Sequence, residues 1–379
     1  MTGPRGGRRI LATITLESHG AGVTAVSHLL WRALQDRWPS DHALLTLQED
    51  DGTPLTWRAK ARFSARLASA QVFGRARWVL FGHLGLVRAQ ALIPAPLRRP
   101  YGVFFHGVEV WRALSEPDRR LLRGATLRVA NSSYTANRVM AMHPDIGDVQ
   151  ACPLSLAQAE EQAMHARGGP ASPPQPPAVL MVGRLDAGEA YKGHAQMIDA
   201  WPRVLAHVPD AELVIVGSGD DRVRLEALAR RLGVHERVRF LGYLDREALH
   251  QRYAAASVFA LPSRGEGFGI VYLEAMAHRL PCIGSSHDAA GDVIVEGVTG
   301  FLVPQDDPRV IADRVARLLT DEPLRRQMGE AGFRRVQEEF TFARFASCLI
   351  DLIDRTLEPA ASLGAPAAAR RGPVAGLHR

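Results

Sequence analysis

Two glutamates bracket a glycine-rich stretch in the second half of the chain. Glu266 opens the run Glu-Gly-Phe-Gly, and Glu274 follows eight residues later in an apolar segment that favours a helix. The amides of such a loop and the N-terminus of a helix form a site for an anion. A carboxylate accepts hydrogen bonds from two hydroxyl groups, so Glu274 could hold a ribose diol while Glu266 contacts a sugar beyond the phosphates. Alternatively, the charge of Glu274 only stabilises the N-terminus of the helix, and Glu266 is a solvent-exposed acid of the loop.

Two cations lie on an earlier loop. Residues 183–193 include Arg184 and Lys192, and two positive charges on one loop suit a diphosphate. Lysine is rare here, since Lys60 is the only other one in the chain, so Lys192 marks a position where arginine does not substitute. After a later apolar run, Gly217-Ser-Gly219 would let a flat nucleobase or ribose approach the backbone.

These loops need a framework, and the pattern around them predicts a parallel sheet. Short apolar runs alternate with amphipathic stretches, which indicates a doubly wound α/β domain with both sheet faces covered. The predicted strands are 178–183, 212–217, 238–241 and 257–261, and the predicted helices are 194–207, 220–232 and 245–256. Ligands of such sheets bind beyond the carboxyl ends of the strands, where these loops lie.

The first half of the chain has the same pattern. We predict strands at 9–15, 78–81, 102–105 and 127–130, a helix at 23–34, and another helix near Tyr134 that Ser132 or Ser133 caps. The fold class is therefore α/β, with two facing Rossmann-like domains and a cleft between them. The domains are predicted at 1–167 and 178–339, with a Pro- and Gly-rich linker at 168–177. A helix at 340–358 is expected to pack back on the first domain, and 359–379 to be a disordered tail.

Composition excludes several classes of protein. The 379 residues are 46% apolar and 23% charged, as in globular proteins, so a fibrous or wholly disordered chain is excluded. No apolar run approaches the ~20 residues that cross a bilayer, and the N-terminus lacks a signal-peptide core, so we expect a cytoplasmic protein. The cysteines Cys152, Cys282 and Cys348 have no metal-binding spacing, so we expect neither disulfides nor a metal site.

The positive charge is concentrated in the first half. Residues 1–170 carry 21 Lys and Arg against 13 Asp and Glu, whereas residues 171–379 carry 25 against 27. In the stretch 57–77, Arg58, Arg62 and Arg66 recur at helical spacing beside an apolar stripe. An anionic membrane, a phosphorylated acceptor or nucleic acid would each match such a basic surface, and so would an ordinary solvated helix.

Taken together, the motifs resemble those of a known family. They are Gly183-Arg184, Lys192-Gly193, Gly217-Ser-Gly219, Phe240-Leu-Gly-Tyr243, Glu266-Gly-Phe-Gly, Glu274-Ala-Met-Ala277 and the run from Glu296 to Pro304. This order resembles the retaining glycosyltransferases of family 4, which have the GT-B architecture of two facing Rossmann-like domains. The resemblance is strong over 178 to about 320. In the first half it is looser and includes the Gly20-Ala-Gly22 loop and the run from Phe105 to Glu109.

The resemblance implies a role for each matching position. Arg184 and Lys192 match the basic pair that binds the donor diphosphate, Glu274 the acid that holds the ribose, and Glu266 the acid beside the donor sugar. The resemblance also implies backbone or base contacts with the donor, at Gly22, Gly217, Gly219, Tyr243, Gly267, Phe268 and Gly269. His106 matches a histidine near the transferred sugar. Asp292 stands where the family has the acid of its Gly-Gly-x-x-Glu motif, and it receives no role.

The function implied is the transfer of a hexose, with retention, from a nucleotide diphosphate-sugar to a glycan or lipid-linked acceptor. Exopolysaccharide or cell-envelope glycan synthesis is the expected setting, without a cofactor or metal. The basic first domain could touch an anionic membrane at its inner face, and no nucleic acid partner is expected. A nucleotide-sugar epimerase of the same architecture and a noncatalytic nucleotide-sugar-binding protein are the alternatives.

Overall fold

The computed structural model describes residues 7–17, 22–48, 55–166 and 176–358, and all structural statements refer to these ranges. They contain two six-stranded parallel sheets, which confirms the predicted α/β class. The first sheet has the strand order β2-β1-β3-β4-β5-β6. Its strands are β1 (Arg8–Thr13), β2 (His42–Thr46), β3 (Ala76–Phe81), β4 (Tyr101–Phe105), β5 (Leu127–Ala130) and β6 (Gln150–Ala151).

The second sheet has the order β12-β11-β10-β7-β8-β9. Its strands are β7 (Ala178–Val182), β8 (Glu212–Val216), β9 (Val238–Gly242), β10 (Val258–Leu261), β11 (Cys282–Ser285) and β12 (Gly300–Val303). Like β2 and β6, the four-residue strands β11 and β12 were not predicted from the sequence; Gly284 lies within β11, and Gly300 is the first residue of β12. We call residues 7–166 the first lobe and residues 176–341 the second lobe.

Helices cover both faces of each sheet. In the first lobe they are α1 (Val23–Arg37), α2 (Trp57–Val72), α3 (Leu84–Val87), α4 (Glu116–Arg123), α5 (Ser133–Met142) and α6 (Gln158–Ala166). The remaining helices are α7 (His194–His207), α8 (Arg222–Arg231), α9 (Arg246–Ala254), α10 (Ile270–Ala277), α11 (Ala290–Val293), α12 (Pro308–Thr320), α13 (Glu322–Glu339) and α14 (Phe342–Thr356). Short 3-10 helices lie at Arg88–Leu92, Ala95–Leu97, Ala187–Lys192 and His235–Arg237.

Local predictions about two helices have different outcomes. Ser132 caps α5, since its side chain accepts a hydrogen bond from the Thr135 amide, which confirms one of the two predicted caps. The helical stretch predicted over 57–77 is too long: α2 ends at Val72, and β3 begins at Ala76. Gly74 and the left-handed Arg75 (φ 55°) lie between the two elements and end the helix.

The strand order fixes where a ligand crevice can form. In the second sheet the chain runs outward from β7 to β9 and then returns to place β10 on the other side of β7. The loops after β7 and β10 therefore diverge to opposite faces of the sheet and leave a crevice at its carboxyl edge. The first sheet has the same switch between β1 and β3.

The C-terminal helix α14 lies against the first lobe. Its first amide, from Phe342, donates to Glu161 of α6, and the Cys152 thiol beside β6 donates to the Phe345 carbonyl. At its end, the nearly buried Glu358 carboxylate accepts from Trp78 Nε1 at 2.9 Å and from Arg9 Nε at 2.6 Å. Residues 168–175 of the predicted linker at 168–177, and the predicted tail at 359–379, lie outside the described residues.

The hydropathy of the helices bears on membrane insertion. Among the residues that the structure describes, no helix combines the length and the apolar character needed to cross a bilayer.

Candidate active site

The crevice between β7 and β10 brings a lysine and a glutamate together. Lys192 Nζ, at the end of the loop after β7, lies 3.7 Å from Glu266 Oε2 on the loop after β10. Both side chains are largely buried, with 16% and 20% exposed, so the attraction is less screened than at a free surface. The backbone joins the same loops, since the Arg264 amide donates to the Tyr191 carbonyl. The two residues therefore face one crevice, although they are 74 positions apart in the sequence.

Glycine is required where these loops touch. Gly193 adopts a left-handed conformation (φ 86°), and a Cβ there would lie 2.3 Å from the Pro262 carbonyl oxygen. Any larger residue would separate the two loops and move Lys192 away from Glu266.

Glu189, which the sequence analysis did not single out, forms ion pairs with both predicted cations. Glu189 lies between them on the same loop, where its Oε1 contacts Arg184 and its Oε2 lies 3.8 Å from Lys192 Nζ. Its side chain is 16% exposed, whereas that of Arg184 is 70% exposed. Glu189 thus stands where the sequence analysis expects an anionic ligand, with one oxygen toward each cation. Its spacing, five residues after Arg184 and three before Lys192, was the available signal.

Asp288 binds the backbone amide of Glu266 and was also not identified in the sequence analysis. Its Oδ2 accepts from the Glu266 amide and its Oδ1 from the Ala290 amide, both at 3.0 Å. Burial raises the pKa of Asp288 to about 7, although hydrogen bonds from both amides oppose the shift. Its place in the loop after β11, at the carboxyl edge, was the signal that could have identified it.

The three residues after Glu266 differ in what they can offer a ligand. Gly269 (φ 90°) is the N-cap residue of α10 and has no side chain to bond the first amides of that helix. The Phe268 side chain is 1% exposed and packs edge-on against Phe340, so only its backbone could contact a ligand. Gly267 lies against the first lobe, because a Cβ there would be 1.7 Å from the His106 carbonyl oxygen.

Gly217 and Gly219, after β8, allow this loop to pack against the loop after β7. A Cβ on Gly217 would lie 1.9 Å from the Gly183 carbonyl oxygen, and one on Gly219 would lie 2.2 Å from the Leu185 carbonyl carbon. Their small size therefore allows loop-on-loop packing, a reason that differs from the predicted approach of a nucleobase. Tyr243, after β9, has 60% of its surface exposed at the same edge of the sheet.

Glu274 lies among a different group of side chains from Glu266. In the second turn of α10, its Oε2 accepts a hydrogen bond from the Tyr253 hydroxyl at 2.8 Å. Desolvation raises the pKa of Glu274 to about 7; the Tyr253 hydrogen bond opposes this shift, and the nearby Glu160 of α6 adds to it. Glu274 therefore titrates near neutral pH, which the sequence did not indicate.

His106, at the end of β4, is a neutral histidine, and one of its two ring nitrogens is hydrogen-bonded to the protein. Its Nε2 lies 2.6 Å from the Gly82 carbonyl oxygen, so this nitrogen carries the proton. Desolvation lowers the pKa of His106 to about 4, and the neutral ring leaves Nδ1 as a hydrogen-bond acceptor. The ring stacks on His83 at a centroid distance of 5.7 Å. His106 can thus accept a hydrogen bond, but near neutral pH it does not supply a positive charge.

The glycine loop of the first lobe is only partly described. Gly22 (φ 87°) begins α1, and a Cβ there would meet no atom of the described residues within 4 Å. The backbone at Gly22 therefore has open space beside it. Gly20 lies outside the described residues.

The structure brings some of the predicted site residues together and separates others. The structure brings Arg184, Lys192, Glu266 and the His106 backbone together at the crevice edge. Gly217 and Gly219 pack on the β7 loop, and Glu274 bonds to Tyr253. Within the described ranges, no group of three or more His, Cys, Asp or Glu side chains could hold a metal ion. The arrangement suits an anion held by two cations and a helix N-terminus, with an acid beside it.

Comparison with known proteins gives the family. The family model described as "Glycosyl transferases group 1" matches residues 165–335. A GDP-mannose-dependent alpha-(1-6)-phosphatidylinositol monomannoside mannosyltransferase of Mycobacterium tuberculosis (strain CDC 1551 / Oshkosh) is 30% identical over 269 residues, which are 65% of this chain and 68% of that protein. With the first curated relatives, the chain matches less than half of their length.

Two solved structures share the fold over nearly the whole chain. Sucrose-phosphate synthase from Thermosynechococcus elongatus has a TM-score of 0.73 at 21% identity, with 92% of this chain and 98% of that chain covered. Anabaena HepE, crystallised with UDP and glucose, has a TM-score of 0.70 at 17% identity, with 91% and 99% covered. At these identities the likeness shows the GT-B fold alone. The mycobacterial relative and the family model show that the chain belongs to the group 1 glycosyltransferases, the family 4 type, and the two solved structures show its GT-B architecture.

Proposed function

We propose that this protein is a retaining, metal-independent glycosyltransferase. It moves a hexose from a nucleotide diphosphate-sugar to a glycan or lipid-linked acceptor, in exopolysaccharide or cell-envelope glycan synthesis. The observation that carries the proposal is the convergence of Lys192, Arg184 and Glu266 on the crevice between β7 and β10. This is the point of a doubly wound sheet where phosphorylated ligands bind.

The chemistry asked of the site is cleavage of a sugar–phosphate bond. Negative charge grows on the diphosphate as it leaves, and fixed positive charges stabilise that charge most in a water-poor site. Lys192, Arg184 and the N-terminus of α10 supply this potential from protein groups. Glu266 lies next to them, where it would hold the donor sugar and face its developing positive charge. Retention follows from the family resemblance and remains part of the proposal.

The neutral His106 fits a positioning role in this reaction. With Nε2 held by the Gly82 carbonyl, its Nδ1 can accept a hydrogen bond from a sugar hydroxyl. Its lowered pKa makes it a weak base, so we assign it to orientation of the transferred sugar and not to proton abstraction.

The names of relatives support the donor and acceptor classes. The mycobacterial relative is named for GDP-mannose and a phosphatidylinositol mannoside, and HepE was crystallised with UDP and glucose. We therefore include a nucleotide-activated hexose and a lipid-linked acceptor in the proposal. A thermal-shift screen with UDP, GDP, ADP and their sugars would identify the donor, because a ligand that binds the folded state raises its stability.

We expect Lys192→Ala to weaken donor binding by about 10²-fold, because a phosphate-facing cation in a part-buried site is lost. Glu266→Gln should keep the donor affinity and lower turnover by about 10²-fold or more. Calorimetric titration and the release of nucleotide from a labelled donor measure the two effects. Lys60→Ala, at the other lysine of the chain, is the control and should behave as wild type. Wild-type affinity and turnover in both site variants would refute the proposal, and an epimerised sugar as product would support the epimerase alternative.

We expect Glu189→Gln to bind the donor more tightly, by about five- to tenfold. The diphosphate must displace the Glu189 carboxylate from Arg184 and Lys192, and a neutral amide competes less. Asp186→Asn is the matched control, since Asp186 lies 3.6 Å from Arg184 Nη1 and is 40% exposed. Its effect on the dissociation constant should be below twofold. Weaker binding by the Glu189 variant would mean that Glu189 orients the cations and does not compete.

We expect donor affinity to depend on pH through Glu274. Because its pKa is raised to about 7, the carboxylate that accepts ribose hydroxyls forms only as the pH rises through neutrality. Affinity for a nucleotide diphosphate-sugar should increase by roughly tenfold from pH 6 to pH 8, as the ionised fraction rises. The diphosphate diester does not titrate in this range. Glu274→Gln should bind weakly and show a flat profile, and an equal slope in this variant would assign the pH dependence to another group.

The surface of α2 supports contact with an anionic membrane. Arg58, Lys60, Arg62 and Arg66 are exposed on it, while Phe63 and Leu67 are buried beneath. Trp57, which lies next to Arg58, is 73% exposed, and Phe73, just after the end of α2, is 82% exposed. Basic side chains on a helix with exposed aromatic side chains at its two ends suit the interface of an anionic bilayer. We include peripheral membrane contact, which would bring the site to a lipid-linked acceptor.

We expect the protein to sediment with vesicles that contain 30% phosphatidylserine and to remain unbound with phosphatidylcholine alone. Arg58→Ala, Arg62→Ala and Arg66→Ala together should weaken vesicle binding by about a hundredfold, at about 1 kcal/mol for each arginine. The control removes three exposed arginines of the second lobe, Arg252, Arg326 and Arg334. Equal losses in both triple variants would show that only net charge matters and would remove α2 from the proposal.

A further inference from the structure

The first turn of α5, in the first lobe, is bound by three residues of the second lobe, which lie on two segments, the loop after β10 and the stretch from the end of β11 into α11. The Asp292 carboxylate of α11 accepts from the Ser133 and Tyr134 amides. The Gly267 carbonyl accepts from the hydroxyl groups of Ser132 and Thr135, at 2.6 and 3.1 Å. The Tyr134 hydroxyl donates to the His287 carbonyl at 2.7 Å. Five hydrogen bonds therefore join one helix end to the loops after β10 and β11.

The contact of Asp292 is a helix cap supplied across the cleft. The amides at the start of a helix have no partner within it, and α5 has no acidic residue in its first turn. Asp292 Oδ2 accepts from these amides at 2.5 and 3.1 Å, although it lies 159 and 158 residues away in the sequence. A carboxylate is also attracted by the positive end of the helix dipole, so this contact is stronger than a neutral hydrogen bond.

Ser132 links the cap of α5 to the donor loop. Its hydroxyl oxygen accepts from the Thr135 amide at 3.0 Å, and its proton goes to the Gly267 carbonyl. Ser132 is fully buried, so both bonds form away from water. The same hydroxyl thus ends the helix in one lobe and fixes the residue after Glu266 in the other.

The two bound segments of the second lobe are themselves one unit. Asp288 joins them, since its two carboxylate oxygens accept from the Glu266 amide and from the Ala290 amide at the start of α11. The Ala289 amide in turn donates to the Glu266 carbonyl at 3.1 Å. A shift of α5 relative to Asp292 would therefore be transmitted to the backbone of Glu266.

We propose that Asp292 is a positioning residue: by capping α5 across the cleft it holds the two lobes together and sets the place of the Glu266–Gly267 backbone, which lies against His106. The inference rests on the proposed function for its effect on turnover, but its structural part stands independently. A donor bound by the second lobe contacts Lys192 and Arg184 without these bonds. The bonds instead fix how the acceptor side meets the donor side, so their loss acts on the reaction more than on donor binding.

The test uses Asp292→Asn in the full-length protein, with Asp321→Asn as the matched control. Asp321 also caps a helix, because its Oδ1 accepts from the Leu324 amide of α13, but that contact stays within the second lobe. We expect Asp292→Asn to lower kcat by about tenfold with the donor KM unchanged within twofold, the size of one part-buried charge–dipole contact. Asp321→Asn should lower the thermal stability and leave kcat as in wild type.

Small-angle X-ray scattering measures the arrangement of the lobes without activity. We expect a larger radius of gyration for Asp292→Asn than for wild type or Asp321→Asn. If the wild type and both variants lack turnover with every donor, the proposed function fails. The scattering comparison then still tests whether Asp292 positions the lobes. An unchanged radius of gyration, or equal losses of kcat in both variants, would overturn the inference.

Discussion

The crevice depends on the electrostatic balance between two cations and two acids on neighbouring loops. Lys192 is largely buried, and a buried ammonium group is costly unless an opposite charge lies near it. Glu189 and Glu266 supply that charge, and both belong to loops that the order of β7 and β10 brings together. A bound diphosphate would take over the role of Glu189 while Glu266 stays beside it. The same cations can therefore pair with protein carboxylates and bind an anion.

Two buried carboxyl groups near this crevice, those of Asp288 and Glu274, have different hydrogen-bond partners although burial raises the pKa of both. Asp288 and Glu274 are desolvated enough for their pKa values to rise to about 7. Asp288 uses its oxygens on backbone amides, so it holds the Glu266 loop, while Glu274 keeps one oxygen on Tyr253. Burial and hydrogen bonding, and not residue type, separate the scaffold acid from the acid proposed for the ribose.

Close backbone approach joins the two lobes at the site. Gly267 lies so near the His106 carbonyl that no side chain fits, and the first turn of α5 binds the carbonyl of the same glycine. A GT-B protein must bring residues of both lobes to one reacting bond, and small residues allow that contact without a wide interface. The chemistry of the cleft is thus coupled to how the lobes meet.

The sequence by itself determined the α/β class, most of the strands and the loops that carry Arg184, Lys192 and Glu266, because hydrophobic periodicity and loop composition are local properties, while the family resemblance added His106. Only the tertiary structure decided which of these meet: it placed Lys192 on Glu266 and inserted Glu189 between the cations. It also gave Asp292 a partner 159 residues away and gave Gly217 a packing reason in place of a ligand contact. Such pairings depend on strand order, burial and the distance between lobes, which arise only when the whole chain is folded.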